Sequence, residues 1–206
     1  MSTRTIAVVS AGLSTPSSTR LLADRLTTAT VAALADRGIS ATVEVVELRE
    51  HARDLADDLL TGFANKSLQP AVDTVVGADA VIAVTPIFSA SYSGLFKTFV
   101  DVLDKDALVG TPVLMGATAG TARHSLALEH ALRPLFAYLR ATVVPTAVFA
   151  AAEDWAGTDA AGRALADRVA RAAGELADLV AGRPPAAPVD PFADPTTSFE
   201  DLLRGS

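Results

Sequence analysis

Four short apolar runs with no polar face constrain this chain more than any other feature: Ile6–Val9, Ala80–Val84, Pro112–Met115, and a stretch from Thr142 to Phe149. A strand that is apolar on both sides must be covered on both sides, as in a parallel sheet held between helices. The intervening segments supply those helices. The pattern predicts them over Ser18–Arg37, Gln69–Gly77, Ser93–Asp104, Ala122–Arg140 and Asp159–Ala181, the first stopped by Gly38. A further run, Ala41–Leu48, partly alternates and suits an edge strand with one wetter face. His51–Ser67 mixes helix-forming and turn residues and is assigned to neither.

Strands alternating with helices imply an α/β fold with right-handed crossovers. Five such strands fit a flavodoxin-like three-layer fold, a five-stranded parallel sheet of order 2-1-3-4-5. Its ligand crevice lies beside strands 1 and 3. A Rossmann domain would carry Gly-x-Gly-x-x-Gly after its first strand, and that motif is missing. Pro134 falls inside the Ala122–Arg140 segment. The stripe Leu128, Leu132, Leu135, Phe136, Leu139 keeps the segment helical, so a bend is expected near Arg133.

At 206 residues, half of them apolar, the chain can bury a core of one ordinary domain. That domain is read as residues 1–182. Residues 183–206 read as a Pro-rich acidic tail, with five prolines between Pro184 and Pro195. Near its end, Ser198–Leu203 reads as a capped helical turn; Phe192, Phe199 and Leu202 either fray or dock on the body or a neighbouring subunit. A formal charge of −7 argues against a nucleic-acid surface, which needs clustered Lys and Arg. The absence of cysteine removes disulfides, thiolate metal sites and thiol catalysis together. The first residues run straight into a strand without a signal-peptide core, and no apolar stretch is long enough to span a bilayer. A soluble, cytoplasmic protein is expected.

Function is read from three loops that the topology sends to one sheet edge. After strand 1, Ser10-Ala11-Gly12-Leu13-Ser14-Thr15-Pro16-Ser17-Ser18-Thr19-Arg20 leads into a helix whose first amides are unpaired and favour an anion. A phosphate monoester fits there, on Ser17, Ser18 and Thr19 with Ser10 or Arg20 nearby. The same hydroxyls serve equally as helix caps. After strand 3, Thr85-Pro86-Ile87-Phe88-Ser89-Ala90-Ser91-Tyr92-Ser93-Gly94 offers an apolar wall, a rigid turn and hydroxyl donors, or simply a turn whose aromatics complete the core. After strand 4, Gly116-Ala117-Thr118-Ala119-Gly120-Thr121-Ala122-Arg123-His124-Ser125 lets backbone approach a ligand that side chains would block. Together the loops suggest a flavin, with amides of the third at its pyrimidine edge. His124 near a helix start is read as structural rather than catalytic. His51 and His130 have no spacing that gathers metal ligands with carboxylates, so no catalytic residue and no metal are assigned.

These segments resemble the NAD(P)H-dependent FMN reductases of flavodoxin-like fold, closest to the branch that includes reductase partners of two-component alkanesulfonate monooxygenases. The matching residues are Ser10 with Pro16–Arg20, then Thr85–Lys97, then Ala117–His124. Glu129-His130-Ala131-Leu132-Arg133-Pro134 also looks like that branch. The resemblance covers roughly Thr5 to Phe149. It implies that Ser10, Ser17, Ser18 and Thr19 hold the FMN phosphate, that Pro86, Ile87, Phe88 and Ser89 flank the isoalloxazine, and that Thr118, Ala119, Gly120 and Thr121 bind its polar edge. Two departures stand out: the first loop has no early Arg of the kind many relatives place near the phosphate, and the Pro-rich tail matches no family motif.

The expected activity is hydride transfer from NADH or NADPH to FMN, with reduced FMN passed to a partner flavin-dependent monooxygenase. The cofactors are FMN and NAD(P)H, and the partners are those nucleotides, the oxygenase and other copies of this chain in a homodimer or homotetramer. Neither nucleic acid nor membrane is expected as a partner. Subunit pairing is placed on the Ala-rich Ala122–Arg140 helix. Alternatives are an FMN-retaining quinone, azo or metal-ion reductase, a non-enzymatic flavodoxin-like electron carrier, or an interaction protein with an empty crevice.

Overall fold

The computed structural model describes residues 3–155 and 160–184. Its sheet grows from β1 (Thr3–Ser10), flanked in parallel register by β2 (Ser40–Glu47) and β3 (Ala80–Phe88). Beyond β3 comes β5 (Pro112–Thr118), also parallel, and then two short pieces, β6 (Thr142–Val143) and β7 (Val148–Ala150). A two-residue strand, β4 (Ser91–Tyr92), folds back antiparallel on the end of β3. Counting the long strands and the β6–β7 pair, the order is the expected 2-1-3-4-5 of a flavodoxin-like sheet. The edge strand β2 is the wetter one, with only Val46 fully buried along it.

The fifth strand departs from its expected continuity. Pro145 has no N–H to give the ladder, and the chain steps away from β5 between Val143 and Val148. The step is held from outside the sheet: the Thr146 amide and hydroxyl each donate to the Glu175 carboxylate at 2.7 Å.

Helices cover both faces, so nearly all of β1, β3 and β5 is buried. On one side lie α1 (Ser18–Ala35) and α6 (Ala160–Ala181), packed through Leu22, Leu26, Leu34, Leu165, Ala172 and Leu176 against Ile6, Val8, Ile82 and Leu114. On the other lie α2 (Ala52–Thr61), α3 (Gln69–Val76), α4 (Gly94–Val102) and α5 (Arg133–Tyr138), whose core centres on Phe96, Phe99 and Phe136. Phe96 meets Phe136 edge to face, ring centres 6.3 Å apart. The ambiguous His51–Ser67 stretch resolves into the end of a 3₁₀ turn (Leu48–His51), α2, and a loop after Gly62.

The expected single helix over Ala122–Arg140 is broken into three. A 3₁₀ turn (Ala122–His124) is followed by a π-helical turn (Leu128–Leu132) and then by α5. The cause is the one that predicted a bend. Inside an α-helix the ring of Pro134 would meet the carbonyl four residues back; here the wider π turn precedes it, and Pro134 opens α5. Glu129 and Arg133 bracket that turn as an ion pair, and Arg133 also donates to the carbonyls of Val144 and Pro145, fastening the break in the fifth strand. From residue 185 on, the Pro-rich tail, with the helical turn expected over Ser198–Leu203 and with Phe192, Phe199 and Leu202, lies outside the described residues.

Candidate functional site

The three loops do converge, at the carboxyl ends of β1, β3 and β5. They line a cleft of about 240 Å³: Leu13, Ser14, Ser17, Ser18 and Thr19 from the first loop, Pro86, Ile87 and Phe88 from the second, Thr118, Ala119 and Gly120 from the third. A larger groove, about 510 Å³, runs between α1 and α6 past Asp24, Arg25, Ala29 and Val169. It is built from helix flanks, whose backbone groups are already paired, whereas the cleft is built from strand ends and a helix start, where ligands of open α/β sheets bind.

Each loop is fixed by its own short-range chemistry. The chain leaves β1 still tied to β3, the Ala11 amide donating to the Val84 carbonyl at 2.9 Å. A side chain at Gly12 would put its Cβ 2.1 Å from Ser17 Oγ and 3.1 Å from Ser17 Cβ, so a larger residue there would push the capping hydroxyl aside. Ser17 caps α1, its oxygen accepting from the Arg20 amide at 3.2 Å. The hydroxyl proton of Ser17 is left to donate elsewhere, so capping and anion binding use different parts of one group. The amides of Ser18 and Thr19, at the first positions of the helix, have no intrahelical acceptor. Thr19 is buried, and its hydroxyl meets that of Thr118 at 2.8 Å, joining the first loop to the third.

In the second loop the strand runs further than its apolar run suggests, through Pro86 to Phe88. The turn back to β4 is made by Ser89 and Ala90, at φ 49° and 69°. Two successive positive φ values are the signature of a type I′ hairpin turn, normally filled by Asn and Gly. Holding non-glycine residues there stores strain at the rim of the site. Buried hydroxyls hold the loop from beneath: Thr85 Oγ1 accepts from the Ser93 amide at 3.1 Å and donates to the Pro86 carbonyl at 3.0 Å, while Ser93 Oγ caps α4. Phe88 is left half exposed at the mouth.

In the third loop, the Ala119 amide is taken by the Ala150 carbonyl at 3.1 Å. That removes it from the amides expected to serve a ligand and leaves the role to Gly120 and its successor. Gly120 has nothing within 4 Å of the place a Cβ would occupy, and its φ is not positive. Neither packing nor conformation asks for glycine there. Thr121 Oγ1 accepts from the Arg123 amide and opens the 3₁₀ turn instead of lining the cleft. Ser89 sits on the exposed hairpin turn. Ser10 is fully buried behind the first loop, where its Oγ has no hydrogen-bond partner. Ser10, Ser89 and Thr121 therefore flank the cleft rather than line it.

The charged groups fall differently from the sequence reading. Arg20 is turned to carboxylates, its Nε donating to Asp24 at 2.7 Å and its Nη1 to Glu47 at 2.6 Å. The Asp24 and Glu47 hydrogen bonds raise its pKa above the usual arginine value. Arg49 takes the place over the first loop: its Nη1 donates to the Ser14 carbonyl at 3.2 Å and to Thr15 Oγ1. Arg49 was not singled out from sequence. The signal was its position just past the carboxyl end of β2, the neighbour of β1 at the same sheet edge. His124 is half-buried on the 3₁₀ turn, outside the cleft lining.

Comparison with known proteins adds an independent line. The family model described as NADPH-dependent FMN reductase matches residues 4–156. The chain is 36% identical over 180 residues to an FMN reductase (NADPH) of Pseudomonas aeruginosa, covering 86% of this chain and 93% of that one. It is 39% identical over 168 residues to the NADH-dependent FMN reductase SfnE of Pseudomonas putida, covering 82% and 88%. A solved oxidoreductase of Corynebacterium diphtheriae superposes with a TM-score of 0.86 at 49% identity, covering 89% of this chain and all of that one.

Proposed function

The chain belongs to the NADPH-dependent FMN reductase family and is an oxidoreductase using FMN and NAD(P)H, and from that premise we propose that the three-loop cleft is its FMN site and that reduced FMN leaves it for a partner oxygenase. The observation that carries the reading is the lining itself. Free helix amides with hydroxyls, an apolar wall and an unexplained glycine meet on one cleft.

The residues fit the parts of the molecule in turn. The N-terminus of α1, with the Ser17, Ser18 and Thr19 hydroxyls, takes the phosphate, favoured by the helix dipole. Ser10, with its unpartnered buried hydroxyl, stands behind that subsite. Pro86, Ile87 and Phe88 give the ring an apolar wall, with Ser89 at its rim. Thr118, Gly120 and the Thr121 amide face the polar edge, where backbone donors stabilise negative charge without a titrating side chain. The Thr19–Thr118 hydrogen bond holds the phosphate and ring subsites at a fixed separation.

FMN, when bound, supplies the redox chemistry, accepting a hydride from the nicotinamide of NADH or NADPH. The protein's part is to stack and orient the rings and to exclude water. That task needs no acid or base, and the groups that line the cleft are hydroxyls, backbone and apolar side chains.

Release of reduced FMN is supported by the sequence likeness to reductase partners of monooxygenases. The exposed Leu126 and Tyr138, on the broken helical segment, support its use as a subunit contact in a homodimer or homotetramer. Among the described residues no helix is long and apolar enough to cross a membrane. Steady-state kinetics test the release. A reductase that releases its flavin gives a rate saturating in added FMN with intersecting double-reciprocal lines. A yellow protein that keeps its flavin through gel filtration, with parallel lines against a quinone, would instead make FMN a resident group.

A further inference from the structure

We propose that Arg49, reaching across from the end of β2, is the cation that lets the first loop discriminate a phosphorylated flavin from an unphosphorylated one. The inference rests on the assignment of the cleft to FMN and goes beyond it by naming the charge that the loop itself lacks.

From Ser10 to Thr19 the loop has no Lys or Arg, so a phosphate there meets only amides and hydroxyls from its own segment. Two guanidinium groups lie close by. Arg20 belongs to the loop's end but is spent, held in hydrogen-bonded ion pairs by Asp24 and Glu47. Arg49 is committed differently. Its Nη1 donates to uncharged oxygens of the loop, the Ser14 carbonyl and the Thr15 hydroxyl, and its approach to Glu47 is a loose 3.9 Å. Its side chain is one-third exposed. An arginine fixed by one nitrogen to the loop's backbone, with donors remaining, is oriented before the anion arrives. Such preorganisation is what makes guanidinium–phosphate pairing strong. The Ser14 that Arg49 grips lines the cleft itself. Asp24, Glu47 and Arg20 together leave one negative charge beside the loop, so removing Arg49 would turn a balanced surroundings into a repulsive one for a phosphate.

The test is equilibrium binding of FMN and of riboflavin to the full-length protein and to the R49M and R49K variants, at two salt concentrations. R49M is expected to weaken FMN roughly ten- to hundredfold, the scale of one charge-assisted hydrogen bond, while riboflavin changes less than about twofold. R49K, keeping the charge but not the fork, should recover part of the loss, and the salt dependence of FMN binding should flatten in R49M. Equal weakening of both flavins would reduce Arg49 to a strut of the loop and overturn the inference, as would FMN affinity unchanged in both variants. Wild-type protein that binds neither flavin would instead remove the FMN assignment beneath it. Should R49M fail to fold, R49K with an altered FMN-to-riboflavin ratio at unchanged riboflavin affinity decides the matter alone.

Discussion

Gly120 and Ser17 carry the site at the scale of single residues, for opposite reasons. The space beside Gly120 Cα is open toward the cleft, so Gly120→Val is expected to fold normally but to fill the ring subsite. Titration of flavin fluorescence should find FMN binding weakened by at least about tenfold; unchanged affinity would remove the third loop from the site. Ser17 and Thr19 hold hydrogen bonds that matter to the fold and hydroxyls that face the cleft. The double replacement Ser17→Ala with Thr19→Ala should cost about 1–2 kcal/mol of stability through the lost cap and weaken FMN far more than riboflavin. Equal loss for both flavins would show that this loop does not read phosphate. Most lining residues were legible in the sequence because each follows a buried strand, and strand ends are where small and hydroxyl residues cluster for a ligand. Arg49 was not, because its place depends on β2 lying against β1, which brings it to Thr15, 34 residues away in sequence. The loss of the Ala119 amide to Ala150 was hidden for the same reason: it depends on where the fifth strand resumes.

At the scale of elements, the order of strands and helices followed from the apolar runs and their spacing, and Pro134 announced a bend near Arg133; the splitting of that segment into three and the step in the fifth strand did not follow. Both come from prolines: the step at Pro145 is settled by the distant Glu175, and the break at Pro134 by the adjoining π turn that the Glu129–Arg133 pair brackets. The hydrogen bond from Arg133 holds the Glu129 carboxyl below the usual glutamate range. A carboxylate with a lowered folded-state pKa contributes stability that is present above its unfolded pKa and lost as pH falls through the folded value. Denaturation of E129Q against wild type should therefore give a gap that is full near neutrality and closes on acidification below the ordinary glutamate range. A gap that persists undiminished in acid would mean the pair does not hold the turn. The β3–β4 hairpin offers a second test. Ala90 tolerates its positive φ poorly, and a β-branched residue tolerates it less. Ala90→Val is expected to lose roughly 1–2 kcal/mol on chemical denaturation and, by shifting Phe88, to weaken FMN. Ala90→Gly should do neither, and matched losses in both variants would contradict a strained turn.

For the molecule as a whole, the described body closes on itself away from the cleft. Arg4, buried at the start of β1, pairs with Asp79 at 3.1 Å and donates to the Arg183 carbonyl, while Arg183 donates to the Gly110 carbonyl at 2.6 Å. Both chain ends of the body are thereby fastened near the amino ends of the strands, and the carboxyl ends are left open to ligands. The division of labour was partly readable in advance, since a parallel sheet with both faces covered has only its two edges and two ends to offer, and the loops at one end carried the chemistry. On the proposed reading, this cleft brings a nicotinamide and FMN together. The decisive experiment follows NADH and NADPH oxidation by the purified protein, from the fall in nicotinamide absorbance, with and without added FMN. Oxidation is expected to be slow without added flavin and to rise to saturation with FMN. No oxidation of either nucleotide, with FMN demonstrably bound, would contradict it and leave a flavin carrier in place of a reductase.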